Sequence, residues 1–246
     1  MSIHLHQDSI EKNSEYWNRK PVLQALYGDF YRLVAKNLST LPESKIVELG
    51  SGLGNIHEVI PNCLRTDLFP NPWIDQIENA YTLSFSDGSV SDLILTDVFH
   101  HLKYPGTALK EFFRVLRKGG RVVMLEPCIS ALGLLVYGIL HDEPIAVLQK
   151  IEWMAPAGWS PENIDYYAAQ GNASRIFIGK QFRNKLTDWR MLKTIRLSAI
   201  AYAASGGFSK PQLYPTSALP LIRKLENILD LFPSLFATRL LVILEK

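Results

Sequence analysis

Val47-Glu48-Leu49-Gly50-Ser51-Gly52-Leu53-Gly54-Asn55 is the stretch on which the reading of the chain turns. An apolar strand beginning at Lys45 runs through an acid into three glycines at alternate positions, a pattern that bends the backbone tightly and leaves no side chain above the bend. The amides of such a turn stand open to the polar groups of a ligand. The dinucleotide fingerprint G-x-G-x-x-G puts its third glycine three residues after the second, whereas Gly54 follows Gly52 by two. This spacing disfavours a nicotinamide cofactor.

Outward from that turn, short apolar runs alternate with helical patterns, as in a parallel α/β sheet. Strands are predicted at Cys63 to Thr66, Ala80 to Leu83, Asp92 to Thr96 and Arg121 to Glu126. Leu109, Phe112, Phe113 and Leu116 mark a helix over Thr107 to Arg117, closed by Lys118, Gly119 and Gly120. Twelve residues separate Gly54 from Asp67, and Pro61 among them limits the first crossover helix to about two turns. Upstream, Trp17, Leu23, Leu26, Phe30, Leu33 and Val34 share a helical face, with Pro21 placed to start a second helix. Downstream of Pro127 the alternation breaks into an insert rich in tryptophan, tyrosine and proline, of the kind that carries specificity. A strand at Met191 to Ile200, a helix at Leu219 to Leu231 and a strand at Arg239 to Glu245 complete the chain.

Further segments follow the glycine turn in order. Thr66-Asp67-Leu68 ends the second strand with an acid that can accept hydrogen bonds from two neighbouring ribose hydroxyls. Glu78-Asn79-Ala80 leads through Leu83-Ser84-Phe85-Ser86-Asp87-Gly88 to Asp92, and Asp92 to Thr96 is followed by Asp97-Val98-Phe99-His100-His101. Together these segments resemble the class I S-adenosylmethionine-dependent methyltransferases, whose first motif is E/D-x-G-x-G-x-G. The resemblance implies a Rossmann-like α/β fold with a seven-stranded, mainly parallel sheet, helices on both faces and a last strand running antiparallel. It assigns S-adenosylmethionine as cofactor, with Glu48, Gly50, Ser51 and Gly52 at its amino-acid end. Asp67 and Leu68 then fall at the ribose, Asn79 and Ala80 at the adenine, and Thr96 at the cofactor border. Asn79 stands where the family usually has aspartate, and Ser84 and Val90 replace its proline and phenylalanine. With the apolar stretch after Glu126 and the tetrad His141-Asp142-Glu143-Pro144, the chain resembles a subgroup of small bacterial methyltransferases whose substrates are mostly unassigned.

For the chemistry itself, strand direction puts His100 and Glu126 at the carboxyl ends of the fourth and fifth strands, the ligand side of an open sheet. These two and His141 are the catalytic candidates, and an imidazole could take a proton from an incoming nucleophile. His101 reads as a packing residue. The acceptor pocket is expected beneath the insert, largely apolar, for a small and hydroxyl-bearing molecule. A cofactor-binding protein without transferase activity and a nicotinamide-dependent reductase are the rival readings.

Composition bounds these expectations. The chain has 246 residues, 47% apolar, enough for a sizeable core and a single domain over 1–246 with an N-terminal helical lid at about 9–40 and a substrate-side insert at about 129–190. A net charge of +2 gives no overall reason to expect nucleic acid. Two distant cysteines build neither a disulfide framework nor a cysteine-rich zinc site, no metal is expected, and a cytoplasmic setting follows. No secretory signal pattern opens the chain. The apolar run from Cys128 to Leu140 is short of the roughly 20 residues a membrane helix needs and reads as a buried or interfacial helix, so no transmembrane segment is expected. Charge is nonetheless uneven: residues 175–246 hold 12 basic and 4 acidic side chains, a net +8, leaving −6 elsewhere. The basic run over 175–196 reads as a solvated surface.

Overall fold

The computed structural model describes residues 3–140, 145–162 and 167–246. Seven strands form one sheet: β1 (Ile46–Leu49), β2 (Cys63–Asp67), β3 (Gln76–Ile77), β4 (Val90–Thr96), β5 (Leu116–Pro127), β6 (Arg190–Leu197) and β7 (Arg239–Glu245). Their order is β3-β2-β1-β4-β5-β7-β6, with β7 antiparallel to both neighbours and the other pairings parallel. This is the expected mainly parallel sheet with its reversed last strand.

Burial on both faces explains why the central strands are continuous apolar runs. Alternate residues feed two cores: Val47, Leu49, Leu93, Leu95, Val122, Met124, Leu240 and Val242 point to one, and Ile46, Ile94, Val123, Leu125, Leu241 and Ile243 to the other. The first core is covered by α3 (Pro105–Val115) and α5 (Asn172–Phe177), and the second by α2 (Pro21–Ala35). α1 (Ile3–Arg19) precedes α2, and Lys20 at their junction donates from Nζ to the carbonyls of Ser205, Gly207 and Lys210 at 3.1, 2.7 and 2.5 Å. That one ammonium ties the loop after α6 (Ile200–Ser205) to the N-terminal helices.

Four local expectations are corrected. Ala80 to Leu83 is not a strand, because the Asn79 side-chain oxygen accepts the Tyr81 amide at 3.0 Å and folds the backbone into a turn, leaving Gln76–Ile77 to pair with β2. α3 ends at Val115 rather than at Lys118 to Gly120. Leu116 is already extended, fully buried and paired with Val90, so the chain enters β5 directly and Gly119 (φ +78°) serves an irregular strand instead of a helix cap. β6 stops at Leu197, since Ala199 turns left-handed (φ +40°) before α6. The first crossover is reduced further than two turns, to a 3-10 turn over Asn55–Glu58.

Beyond β5, Ser130 caps α4 (Ala131–Leu135) by accepting the Gly133 amide at 2.9 Å, and the chain continues as a π-helical turn over Val136–Leu140. α7 (Leu219–Leu229), two residues shorter than expected, and α8 (Pro233–Phe236) lead into β7. Among the described residues no helix is long and apolar enough to cross a membrane.

Candidate active site

Parallel strands β1 and β4 end side by side, Leu49 against Leu95, so the glycine turn and the β4–α3 connection share one sheet edge. Gly50 takes φ +70°, and a Cβ there would lie 2.4 Å from Val98 Cγ2, so neither a left-handed backbone nor this packing admits a larger residue. Gly52 takes φ +52°, yet a Cβ there would meet no protein atom within 4 Å. It borders a small cavity of about 110 Å³ that opens to solvent.

Glu48, Gly50, Ser51, Gly52 and Thr96 line that cavity, as the sequence led us to expect for one ligand site. Tyr27 and Tyr31 of α2, Asn13 of α1 and Phe208 cover it, with Leu53 and Asn55 at its floor. Sequence reasoning placed a helical lid at about 9–40 but named none of these four residues. The i, i+4 spacing of Tyr27 and Tyr31 was the signal available, and Phe208 follows the Gly206-Gly207 loop that Lys20 draws in. None of the lining residues comes from 129–190.

Two buried polar atoms here have no hydrogen-bond partner, Glu48 Oε2 and Thr96 Oγ1. Burial pushes the Glu48 carboxyl up to about 8, against a hydrogen bond from Ser51 that lowers it, with Asp67 raising it further. Burial likewise holds Tyr31 well above the usual phenol range, so its hydroxyl stays protonated. The cavity therefore offers an acid ready to ionise against a cation, and hydroxyls.

Asp67 lies beside this turn. Its Oδ2 accepts the Gly52 amide at 3.0 Å and its Oδ1 accepts the Leu68 amide at 2.7 Å, which fixes the carboxylate at the end of β2. Asn79 faces elsewhere for part of its bonding: besides the Tyr81 amide it engages Pro161, donating from Nδ2 to the carbonyl at 2.8 Å. Asn79 and Ala80 thus sit where the insert closes on the sheet edge, with Trp159 packed edge-on against Tyr81 at 5.0 Å.

His100 and Glu126, expected as polar groups of the acceptor pocket, do not line this cavity, and both are buried. Glu126 is fully buried and accepts the amides of Val98, Phe99 and His100 at 2.9, 2.7 and 3.2 Å. His100 Nδ1 lies 2.7 Å from Glu126 Oε2, and its carbonyl accepts the Ala169 amide of the insert at 3.0 Å. The pair clamps the β4–α3 turn. His101 Nδ1 meets the Tyr167 carbonyl at 2.9 Å, a packing role as expected. His141 lies outside the described residues, as do Asp142, Glu143 and Tyr166.

Asp97, directly after Thr96, takes a left-handed conformation (φ +57°) and pairs its carboxylate with Arg239. Arg239 is buried under Tyr202 and Phe30, at 4.3 and 5.6 Å from the ring centres. Burial first and the Asp97 charge after it raise the pKa of both Tyr27 and Tyr31, so the carboxylate is felt by the cavity cover.

Comparison with known proteins agrees with this geometry. Residues 47–124, from the first strand through β5, match the family described as "Methyltransferase domain". No curated protein matches the sequence significantly. Among solved structures, a chain of the complex between the Haloferax volcanii Trm112 methyltransferase activator and its methyltransferase partner shares 15% identity at a TM-score of 0.54, over 99% of this chain and 97% of that one. Geranyl diphosphate C-methyltransferase from Streptomyces coelicolor A3(2), solved with Mg2+, geranyl diphosphate and S-adenosyl-L-homocysteine, shares 12% identity at a TM-score of 0.52, over 88% of this chain and 76% of that one. At such identity these structures speak for the fold alone. The methyltransferase-domain match is thus confined to residues 47–124, the segment that opens on the glycine turn, and the strand order and the similar structures agree with it at the level of the fold.

Proposed function

We propose that this methyltransferase binds S-adenosylmethionine in the cavity at the end of β1 and transfers its methyl group to a small, hydroxyl-bearing molecule. The observation that carries the cofactor site is the buried, unpartnered Glu48 Oε2 beside the Gly50–Gly52 turn. A cationic amino group supplies the missing donor and draws the carboxyl, held near 8 when the cavity is empty of charge, into its ionised form. Thr96 Oγ1, buried and likewise without a partner among the described residues, adds a hydroxyl at that end of the site. Asp67, held in place by the Gly52 and Leu68 amides, is the carboxylate for two ribose hydroxyls, with Leu68 alongside. Asn79 and Ala80 border the adenine, Asn79 at the same time anchoring the insert.

S-adenosylmethionine supplies an electrophilic methyl carried on a sulfonium. The protein's task is alignment, which accounts for most of the rate of such a displacement. Tyr27, Tyr31 and Phe208 close the cavity against water. A hydroxyl acceptor releases a proton as its bond to the methyl forms, and His100 is too enclosed to receive it. Asp97 is the reachable carboxylate, its side chain 27% exposed and held by Arg239.

The test is incubation with methyl-labelled S-adenosylmethionine and a panel of small alcohols, phenols and carboxylates, with products identified by mass. Label on an alcohol or phenol oxygen supports the reading. Label on nitrogen or carbon acceptors only contradicts the hydroxyl assignment, and cofactor binding without transfer to any acceptor favours a binding protein.

A further inference from the structure

α7 carries apolar side chains on two faces. Leu219 is buried, and Ile222 packs on the cluster of Val22, Leu26 and Ala201, which accounts for one face. The other presents Leu221, Leu225 and Ile228 at i, i+4 and i+7, exposed by 70, 47 and 58%. The stripe continues past the helix end through Leu231, Phe232 and Leu235, exposed by 73, 54 and 51%. α8 joins it to α4, where Ser130 Oγ donates to the Leu235 carbonyl at 3.2 Å and Leu134 and Leu135 are again exposed. Scattered surface leucines are ordinary, but a contiguous surface of this length marks an interaction site.

Charge narrows the partner. Both acids of α7 and its C-cap turn inward: Glu226 accepts the Ala201 amide at 2.7 Å, and Asp230 accepts the Ser198 amide and hydroxyl at 2.7 and 2.8 Å. Glu245 is held by Arg121 and Arg190. Lys224 is exposed between the stripe's leucines, and Arg196 reaches Ser234 on α8 at 3.2 Å. An apolar face flanked, among the described residues, by Lys224 and Arg196 suits an anionic lipid surface. A second copy across a two-fold axis would instead set these cations against their own copies.

We propose that the α7–α8–α4 surface docks the protein on an anionic phospholipid membrane, lying in the interface rather than spanning it. α8 leads into the start of β7 and α4 follows the end of β5, and Arg239 pairs with Pro127, so this surface adjoins the sheet edge that carries the cavity. Docking would bring that edge to the bilayer.

The experiment is sedimentation of the full chain with vesicles of phosphatidylcholine alone or mixed equally with phosphatidylglycerol, without cofactor, so that it stands apart from the methyl-transfer reading. The protein should pellet with the anionic vesicles and release as salt is raised. Leu225→Glu with Ile228→Glu should weaken partitioning at least tenfold without changing the melting temperature, and Lys224→Gln by about fivefold. Leu231→Glu with Phe232→Glu is a second probe if the first variant misfolds. Failure to bind anionic vesicles, or equal binding by the variants, would overturn the proposal. So would a wild-type dimer in ultracentrifugation that the leucine variant dissolves, which would assign the face to a second copy.

Discussion

Two buried glutamates stand at the carboxyl edge of the same sheet, and their surroundings differ in kind. Glu126, at the end of β5, is saturated by three backbone amides and the His100 ring. Glu48, in β1, has an oxygen with no partner and a carboxyl raised to about 8 by burial. A buried carboxylate with all its donors inside the protein is a structural clamp. One left short of donors beside a cavity is a place for a ligand to complete, and strand position alone does not separate the two.

The largest expected effect tests the clamp. Glu126→Ala should destabilise the fold by about 3–5 kcal/mol, because three buried amides and an imidazole lose their acceptor together. Denaturant unfolding checks it, and a cost below about 1 kcal/mol would mean that the clamp is not structural.

Glu48→Gln should act in the opposite direction on the ligand-free protein. The wild-type group titrates near 8 when folded and near 4.5 when unfolded, so between those values the folded state holds the extra proton. Its contribution to stability is therefore complete below about pH 4.5 and lost as pH rises through 8. The variant should remove that slope and exceed wild type by a few kcal/mol at pH 9. Parallel stability–pH curves for the two proteins would contradict the assignment.

A smaller change is expected at Asp67. Asp67→Ala should weaken S-adenosylhomocysteine binding by about 10- to 150-fold, the worth of about 1.5–3 kcal/mol in charge-assisted hydrogen bonds. Unchanged affinity would remove Asp67 from the ribose site.

The smallest effect sharpens the contrast at His100. His100→Gln, assayed where it remains folded, should lower turnover by less than tenfold and leave cofactor affinity intact. A loss of roughly 10²–10⁴ would restore His100 as a general base.

Legibility in the sequence followed the same division. Glu48, the glycines and Asp67 were readable because backbone geometry at a strand-to-turn junction restricts residue type locally. The sheet, including the reversed strand from Arg239 to Glu245, was readable because buried strands demand apolar runs. Glu126 was misplaced because its donors come from residues 98–100, brought close only by the parallel pairing of β4 with β5. Tyr27, Tyr31 and Phe208 were missed because they reach the cavity through the packing of α2 and the Lys20-held loop, contacts up to 190 residues apart in sequence. The strand expected at Ala80 to Leu83 failed for a nearer reason, the Asn79 side chain competing for the Tyr81 amide.

The account rests most directly on Glu48 meeting the cationic end of the cofactor. Calorimetric titration with S-adenosylhomocysteine at pH 7, in two buffers of different ionisation enthalpy, tests it. Wild type should bind with micromolar affinity and release close to one proton, since binding ionises a carboxyl that titrates near 8 when free. Glu48→Gln should bind at least tenfold more weakly with no proton release, and NAD should not bind wild type. Equal affinity and proton release in the two proteins, or tighter binding of NAD than of S-adenosylhomocysteine, would contradict the account.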